Sequence, residues 1–297
     1  MDWPLRSLLF IPAHKVDWAQ KASRYRPDAV VLDLEDAVPP HLKAGARAAV
    51  AQVFEELHSH NIRTFVRINA LEEGGGEDLA AIVHKNLDGV MLPKANSVDQ
   101  IRELDSLLTY HEGRVGLERG VTSILILPET AVGMHDARLL AGASKRVKGI
   151  TGAVLGTGAA GDFATALGIW PSQGGLEQNY IVSKLSLDSR AAGAMYPIAV
   201  VNGVQIDDLA MVKTLAYRAK ESGYTGILVI HPSHLAVVHE VFAPSEEEVE
   251  YYQGIIDTIR TQEQEGNGAV RFKGEMIDYA MIARAKQFLK DAERFKK

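Results

Sequence analysis

Charged residues recur at the ends of short apolar segments in this sequence. Asp33 and Glu35 close one such segment, and Arg67 and Asn69 close the next. Residues two apart lie on the same face of an extended strand, so each pair is expected to point in one direction. A charge inside a protein is costly unless it is paired or bound to an ion. These residues therefore predict either a functional site or a structural network of ion pairs.

Two more carboxylates, those of Glu129 and Asp162, follow later apolar segments, and no histidine or cysteine completes a ligand set with them. Such a pair suits Mg²⁺, or Mn²⁺, rather than zinc. Mg²⁺ usually takes one or two protein carboxylates and completes its octahedron with water and substrate oxygens. The alternatives are that Asp162 caps a helix over 163–167 and that Glu129 is a first-turn acid.

A glycine-rich segment directly before Asp162, residues 156–161, matches the G-x-G-x-x-G pattern of dinucleotide-binding proteins. In those proteins the pyrophosphate binds at the N-terminus of the following helix. Here Asp162 would place a carboxylate there and repel the pyrophosphate. The pattern also follows the sixth apolar segment instead of the first. We therefore do not expect a nicotinamide cofactor.

The elements that position these residues follow a repeating pattern. Apolar segments predict strands at 7–12, 29–34, 64–68, 89–92, 122–127, 152–155, 197–201 and 226–230. Amphipathic stretches predict helices at 17–26, 43–58, 76–84, 97–110, 135–143, 175–193, 207–222 and 232–241. Eight such units in about 240 residues predict an α/β fold, a (β/α)8 TIM barrel whose active site is built by the loops after the strands. An open doubly wound sheet is the alternative, because periodicity alone does not exclude it.

The sequence changes character after residue 243. Ser245 and the three glutamates after it have the pattern of an N-cap and an acidic first turn, which predicts a helix towards Ile259. A polar stretch over 262–268 precedes a last predicted helix from Ile277 to Phe295. We therefore divide the chain into a barrel catalytic domain, 1–243, and a C-terminal helical extension, 244–297, which forms an arm or lid.

The composition excludes several classes of protein. The formal net charge is −6 and acids and bases are interspersed, which argues against nucleic-acid binding through a basic patch. No run of about 18 apolar residues predicts a membrane span. The first residues lack the basic n-region of a signal peptide, so we expect a cytoplasmic protein. Without cysteine, the chain has no disulfide, thiolate zinc site or thiol nucleophile.

Nine segments together resemble the citrate lyase beta-subunit-like proteins of the HpcH/HpaI aldolase group, in its acyl-CoA lyase branch. They occur in family order at 6–12, 32–38, 66–69, 91–94, 128–131, 161–162, 230–232, 242–245 and 272–278. The most specific are Leu-Glu-Asp-Ala-Val at 34–38 and Met-Ile-Asp at 276–278. The resemblance covers nearly the whole chain.

This resemblance implies a TIM barrel, usually trimeric or hexameric, that makes or breaks a carbon–carbon bond next to an acyl thioester. Glu129 and Asp162 match the metal ligands, Arg67 matches the residue that binds the keto-acid fragment, and Asp278 matches an acid/base from a neighbouring subunit's C-terminal extension. The residues expected at the substrate are Arg67, Glu129, Phe10, Lys21, Glu35, Ile230 and His231.

The activity implied is Mg²⁺-dependent cleavage or formation of a 3-hydroxy-3-carboxyl acyl-CoA, such as malyl-CoA or citramalyl-CoA. The products of cleavage are an acyl-CoA and a 2-keto acid. One alternative is a citryl-carrier-protein lyase subunit that needs a partner carrying the acyl group. Another is a non-catalytic barrel that serves as a binding module.

Overall fold

The chain forms two compact units, residues 1–242 and 243–297. A computed structural model describes residues 3–158, 161–264 and 269–295. The G-x-G-x-x-G segment and the polar stretch over 262–268 therefore lie partly outside the described residues.

The first unit is a closed barrel of eight parallel strands in sequence order, in which the last strand pairs with the first. The strands are β1 (Ser7–Pro12), β2 (Ala29–Asp33), β3 (Arg63–Arg67), β4 (Gly89–Pro93), β5 (Ser123–Leu127), β6 (Val147–Leu155), β7 (Ile198–Asn202) and β8 (Gly226–Val229). Helices lie between the strands, so the predicted TIM barrel is confirmed. Closure of the sheet excludes the open doubly wound alternative.

Most helices of the barrel are shorter than the predicted ones, although α5 extends beyond the predicted end at residue 110. They are α1 (Val16–Lys21), α2 (Lys43–Val50), α3 (Phe54–Ser59), α4 (Gly75–Ile82), α5 (Val98–Arg114), α6 (Ala131–His135), α7 (Ala137–Gly142), α8 (Gly161–Leu167), α9 (Asn179–Ala191), α10 (Leu209–Glu221) and α11 (His234–Phe242). The single helix predicted over 43–58 is divided by a 3₁₀ turn at Ala51–Val53. The helices predicted to begin at 175 and 207 begin at Asn179 and Leu209.

Alternate residues of each strand belong to two separate apolar layers, one outside the barrel sheet and one inside it. One set, which includes Val30, Val66 and Ile124, packs with the helices around the barrel. The other set forms a separate cluster inside the barrel, made by Leu5, Leu8, Ala29, Val31, Phe65, Met91, Leu125, Leu127, Ile198 and Leu228. The period of two along each strand produces this division.

Aromatic rings fill the amino-terminal part of the barrel interior. Trp3 stacks on Tyr196 with ring centroids 5.1 Å apart and meets the ring of Phe65 at 6.0 Å. A Cβ atom at Gly89 would lie 2.5 Å from the Phe65 ring, so only glycine at this position leaves room for that ring. The interior is consequently a packed core.

The second unit has its own small core. It contains α12 (Glu246–Gln264), β9 (Ala269–Phe272), β10 (Glu275–Asp278) and α13 (Ala280–Phe295). Ile255, Ile256, Ile259, Ile277 and Ala285 are buried together. The predicted N-cap at Ser245 forms a capping box, in which Ser245 Oγ accepts from the Glu248 amide and Glu248 Oε2 accepts from the Ser245 amide.

The prediction that the last helix begins at Ile277 is wrong. Residues 275–278 form the second strand of an antiparallel hairpin, and the helix begins at Ala280. Lys273 and Gly274 connect the two strands, both with positive φ (46° and 91°). Two such residues form the tight turn that a two-residue hairpin requires. Among the described helices, none is long and apolar enough to cross a membrane.

Candidate active site

The charged residues of the candidate site continue the inward-facing set of alternate residues. Asp33 follows Ala29 and Val31 at the end of β2, and Arg67 follows Phe65 at the end of β3. Glu129 follows Leu125 and Leu127, two residues after the end of β5. The same alternation that fills the interior with apolar side chains therefore brings charged ones to its carboxyl end.

Arg67 and Asp33 form a bidentate ion pair. Arg67 Nε donates to Asp33 Oδ1 at 2.7 Å, and Nη2 donates to Oδ2 at 2.8 Å. The two strands are in register, with Asp33 opposite Arg67. The Asp33 oxygens also accept from the backbone amides of Glu35 and Ala37, at 3.0 and 2.9 Å. Asp33 thus fixes both the guanidinium and the loop that follows β2.

Glu35 is shared between two cations. Its Oε2 lies 2.9 Å from Arg67 Nη1, and its Oε1 accepts from Lys94 Nζ at 2.9 Å. Burial raises the pKa of Glu35 above its ordinary value, although both cations oppose the shift. The pairing of Asp33 and Glu35 with Arg67 agrees with their predicted position on one face of the chain.

Phe10, in β1, provides the apolar surface beside the cluster of Asp33, Glu35 and Arg67. Its ring centroid lies 4.7 Å from Arg67 Cζ, which is a cation–π contact. Burial opposes the charge of Arg67, but the hydrogen bonds and charge of Asp33, with the charge of Glu35, raise its pKa well above the ordinary value. The guanidinium is therefore a permanent positive charge held in one orientation.

Glu129 is the carboxylate that is least satisfied in this cluster. Burial raises its pKa to about 7, and the negative charges of Glu35 and Asp162 act in the same direction against those of Arg67 and Lys94. Its Oε2 is buried and accepts no hydrogen bond from the described residues. A buried acceptor without a donor is rare, and an ion or a substrate is one physical reason for it.

Asp162 lies in the first turn of α8 and is exposed, with Oδ2 4.0 Å from Lys94 Nζ. Within the described residues, no three His, Cys, Asp or Glu side chains form a group able to hold a metal. A cation bound by Glu129 and Asp162 would complete its coordination with water or substrate oxygens. This donor set fits the way in which Mg²⁺ is bound, and not the way in which zinc is bound.

The glycines of the G-x-G-x-x-G segment have a packing role. A Cβ atom at Gly156 would lie 2.4 Å from the Gly203 carbonyl oxygen, and one at Gly158 would lie 2.9 Å from it. The Gly158 amide donates to that same oxygen at 2.8 Å. This close approach of two backbones accounts for both glycines without a nucleotide. Ala159 and Ala160 of the motif are outside the described residues.

Asn69 belongs to a different network from Arg67. Its side-chain amide donates to the Leu34 carbonyl and to Asp78 Oδ2, at 3.1 and 2.7 Å. Lys43 donates to Asn69 Oδ1. Asn69 thus holds the loops after β2 and β3 together and does not contact the carboxylates of the candidate site.

Three expected substrate residues lie outside the ion-pair cluster. Lys21 is exposed and pairs with Asp17 at 3.2 Å. Ile230 is half exposed, and His231 Nδ1 lies 2.7 Å from Ser233 Oγ. In the described part of the chain, no hydrogen bond or ion pair links any of them to Arg67.

Ile230 instead lines a cavity of about 540 Å³ beside the carboxyl ends of β6, β7 and β8. Thr157, Asn202, Val204 and Met211 are among its other lining residues. The cavity combines apolar walls with amide and hydroxyl groups, as many small-molecule sites do.

Asp278 is exposed at the end of β10, in the second compact unit. Its Oδ1 accepts from the Ala280 amide at 2.9 Å and so stabilises the start of α13. The role expected for Asp278 at the active site stays a prediction.

Lys94 is the contact residue that the sequence reasoning did not select. Its ammonium touches Glu35 and lies 3.7 Å from Asp36 Oδ1 and 4.0 Å from Asp162 Oδ2. The available signal was its position directly after β4, where barrel loops build active sites. Asp33 lies in the equivalent position at the end of β2. In the structure it accepts two hydrogen bonds from Arg67 and so fixes the orientation of the guanidinium.

Similarity to known proteins extends over both compact units. Residues 6–232 match the sequence model of the HpcH/HpaI aldolase/citrate lyase family. The chain is 33% identical over 289 residues to citrate lyase subunit beta of Haemophilus influenzae, which covers 97% of each protein. It is 28% identical over 289 residues to human mitochondrial citramalyl-CoA lyase, which covers 95% of this chain and 84% of that protein.

A solved structure shows the same fold. The crystal structure of the protein CitE from Mycobacterium tuberculosis, in complex with magnesium, acetoacetate and coenzyme A, matches with a TM-score of 0.72 at 27% identity. The match covers 97% of this chain and 98% of that chain.

Proposed function

Because this chain belongs to the HpcH/HpaI aldolase/citrate lyase family, we propose that it is a Mg²⁺-dependent carbon–carbon lyase. Its substrate is a 3-hydroxy-3-carboxyl acyl-CoA such as malyl-CoA or citramalyl-CoA. Cleavage gives a 2-keto acid and acetyl-CoA, or another acyl-CoA, and the reverse reaction joins them. Mn²⁺, which prefers the same kind of oxygen ligands, is the alternative metal.

The observation that supports this proposal most directly is the state of Glu129. Its carboxylate lies at the carboxyl end of the barrel with a buried oxygen that accepts no hydrogen bond from the described residues. Arg67 is already committed to Asp33 and Glu35, and the charge of Asp162 acts on Glu129. Within the described part of the chain, Glu129 has no hydrogen-bonded partner for its buried oxygen, and Asp162 has only the long contact to Lys94 at 4.0 Å, so the two carboxylates favour a divalent cation.

Glu129 and Asp162 would hold the divalent cation, which when bound would supply a Lewis acid that lowers the pKa of the substrate hydroxyl. Arg67 keeps two of its five N–H groups after its contacts with Asp33 and Glu35, and these are available to the carboxylate or carbonyl oxygen of the keto-acid fragment. A fixed donor of this kind contributes about 3 kcal/mol when negative charge develops on the oxygen.

Asp278 supplies the proton in this proposal. The hydroxyl proton passes to solvent water, the C2–C3 bond breaks with its electron pair passing to the thioester as an enolate, and the former C3–OH carbon becomes the keto group. The enolate carbon then takes one proton, which a carboxyl group in contact with it can donate. Exposure of Asp278 on the second unit is consistent with a role at the site of another subunit of a trimer or hexamer.

We place the acyl-CoA part of the substrate on the residues around Arg67 and beyond them. Phe10 packs on the guanidinium, and Ile230 lines the cavity at the ends of β6 to β8. We place the acyl chain along these apolar surfaces. Lys21, which is exposed, and His231, which is half-buried, would meet the phosphates of CoA at a greater distance from the reacting carbon.

A panel of hydroxyacyl-CoA thioesters tests the proposal. The protein with Mg²⁺ should release free keto acid from at least one member of the panel, measured by coupled reduction of the keto group. EDTA should abolish the release and added Mg²⁺ should restore it. The variants Glu129→Gln and Asp162→Asn should each lose Mg²⁺ binding in calorimetry. Failure of the wild-type protein to bind Mg²⁺ would contradict the proposal.

A second candidate is the citryl-carrier-protein lyase reaction, favoured by the 33% identity to citrate lyase subunit beta. The site chemistry is the same, but the thioester is attached to a partner protein. Activity on free acyl-CoA, with no partner present, distinguishes the first function from the second.

Subunit mixing tests the position of Asp278. Arg67→Ala and Asp278→Ala proteins should each be inactive alone. After mild dissociation and mixing, a hybrid oligomer should regain activity if Asp278 serves a neighbouring site. Some sites then combine Arg67 from an Asp278→Ala subunit with Asp278 from an Arg67→Ala subunit. Hybrid oligomers that form but remain inactive would place Asp278 at the site of its own chain.

A further inference from the structure

The ammonium of Lys94 lies among three carboxylates at the mouth of the barrel. Its Nζ is 2.9 Å from Glu35 Oε1, 3.7 Å from Asp36 Oδ1 and 4.0 Å from Asp162 Oδ2. Its side chain is 39% exposed, so it faces open space as well as these acids. One of the three, Asp162, is also a proposed metal ligand.

The backbone places this ammonium by a defined turn. Lys94 has φ of +48°, directly after Pro93 at the end of β4. The next residue, Ala95, donates its amide to the Leu127 carbonyl at 3.3 Å, and its own carbonyl packs against Gly133. The position of Lys94 therefore depends on the ends of β4 and β5, which are the frame of the site.

The charges of the cluster are divided unequally. Arg67 neutralises Asp33, and Glu35 is shared by Arg67 and Lys94. Apart from these pairs, Glu129 and Asp162 attract a divalent cation, while the Lys94 ammonium beside Asp162 repels it. The attraction and the repulsion act over the same few ångströms.

We propose that Lys94 opposes divalent-cation binding in the free protein and that the carboxylate of a bound 2-keto acid relieves this opposition, so that cation and acid bind cooperatively. The proposal rests on the proposed function, since it assumes that both ligands use this site. An acid carboxylate that pairs with the ammonium cancels its charge towards the cation. By linkage, the cation strengthens acid binding by the same factor.

Calorimetric titration of Mg²⁺, with and without saturating pyruvate, measures this coupling. For the wild-type protein we expect pyruvate to tighten Mg²⁺ binding about tenfold, within the usual range of coupling between two ligands. Lys94→Met should bind Mg²⁺ about tenfold more tightly than the wild type without pyruvate, and pyruvate should then tighten Mg²⁺ binding less than it does in the wild type. Lys94→Arg, which keeps the charge, should retain the coupling.

Lys94→Gln gives an independent neutral variant if Lys94→Met does not fold. Equal or weaker Mg²⁺ binding by the folded neutral variants, in the absence of pyruvate, would overturn the inference. Wild-type protein that binds Mg²⁺ with no effect of pyruvate would also overturn it, while leaving the proposed function intact. Wild-type protein that binds no Mg²⁺ under either condition would instead reject the proposed function.

Discussion

Asp33 and Arg67 meet edge to edge at the carboxyl end of the barrel, through two parallel hydrogen bonds of 2.7 and 2.8 Å. The aspartate is fully buried and the arginine side chain is 9% exposed. Each Asp33 oxygen also accepts a backbone amide. Arg67 therefore has little freedom to change orientation when a substrate arrives, and a preorganised donor is more effective than a mobile one.

Asp33→Asn should destabilise the fold by about 3–5 kcal/mol, because it leaves the buried Arg67 charge without its partner. Urea unfolding of the metal-free protein measures the change. Glu240→Gln is a matched control, since it breaks an exposed ion pair with Lys213 and should change stability little. Equal effects of the two substitutions would show that the buried pair has no special role in stability.

Mg²⁺ binding should depend on pH through Glu129. Its pKa of about 7 means that it must lose a proton to bind a cation in neutral solution. Mg²⁺ affinity should therefore fall about tenfold for each pH unit below 7 and become level above it, because metal and proton compete for the carboxylate. Calorimetry between pH 5.5 and 8.5, values chosen to lie roughly either side of this pKa, tests this.

The same group should affect the stability of the metal-free protein in the opposite sense. Because the folded pKa is raised from 4.5 to about 7, the folded state binds more protons than the unfolded state between these values. The Glu129 contribution to the free energy of unfolding should thus fall as pH rises through that window. A free energy difference between wild type and Glu129→Gln that is independent of pH would contradict the raised pKa.

The left-handed backbone at Lys94 should be visible in a pair of substitutions. Lys94→Gly and Lys94→Ala both remove the ammonium, but only glycine adopts a positive φ without steric cost. We expect the glycine variant to be more stable by about 1 kcal/mol in urea unfolding. At Glu103, exposed within α5, the order should reverse, because glycine is the poorer helix former.

Asp278→Asn should lose turnover by about 10²–10⁴-fold, the usual contribution of a general acid, and should retain Mg²⁺ and CoA binding. Glu275→Gln is the control, because Glu275 is another exposed acid on β10, bonded to Tyr251. It should keep its turnover. Full activity of Asp278→Asn would remove this residue from the reaction.

The barrel was predictable because its strands are apolar at nearly every position, and these runs mark the strands within one or two residues at most boundaries. The position of Asp33 beside Arg67 was less accessible. It depends on the register between β2 and β3, which pairs these two residues across the sheet. That register cannot be predicted from the alternation of residues along each strand.

Two features of the structure were not predicted from the pattern of apolar and polar residues. Lys94 points into the cluster because of its positive φ, and a lysine gives no local signal for that conformation. The hairpin before α13 was hidden because Ile277 and Asp278 also fit the start of an amphipathic helix. The Lys-Gly pair at 273–274 was the turn signal that distinguishes the two.

Trp3, between Tyr196 and Phe65, helps to fill the barrel interior, so the loops at the carboxyl end stand on a packed core. No side chain of that core has to change when a loop above it changes. If the acyl group binds beside Ile230 and Val204, as proposed, substitutions there should change which acyl group fits without disturbing the residues that hold Arg67. In the proposed function, acyl-group selectivity and bond cleavage would therefore depend on separate parts of one surface.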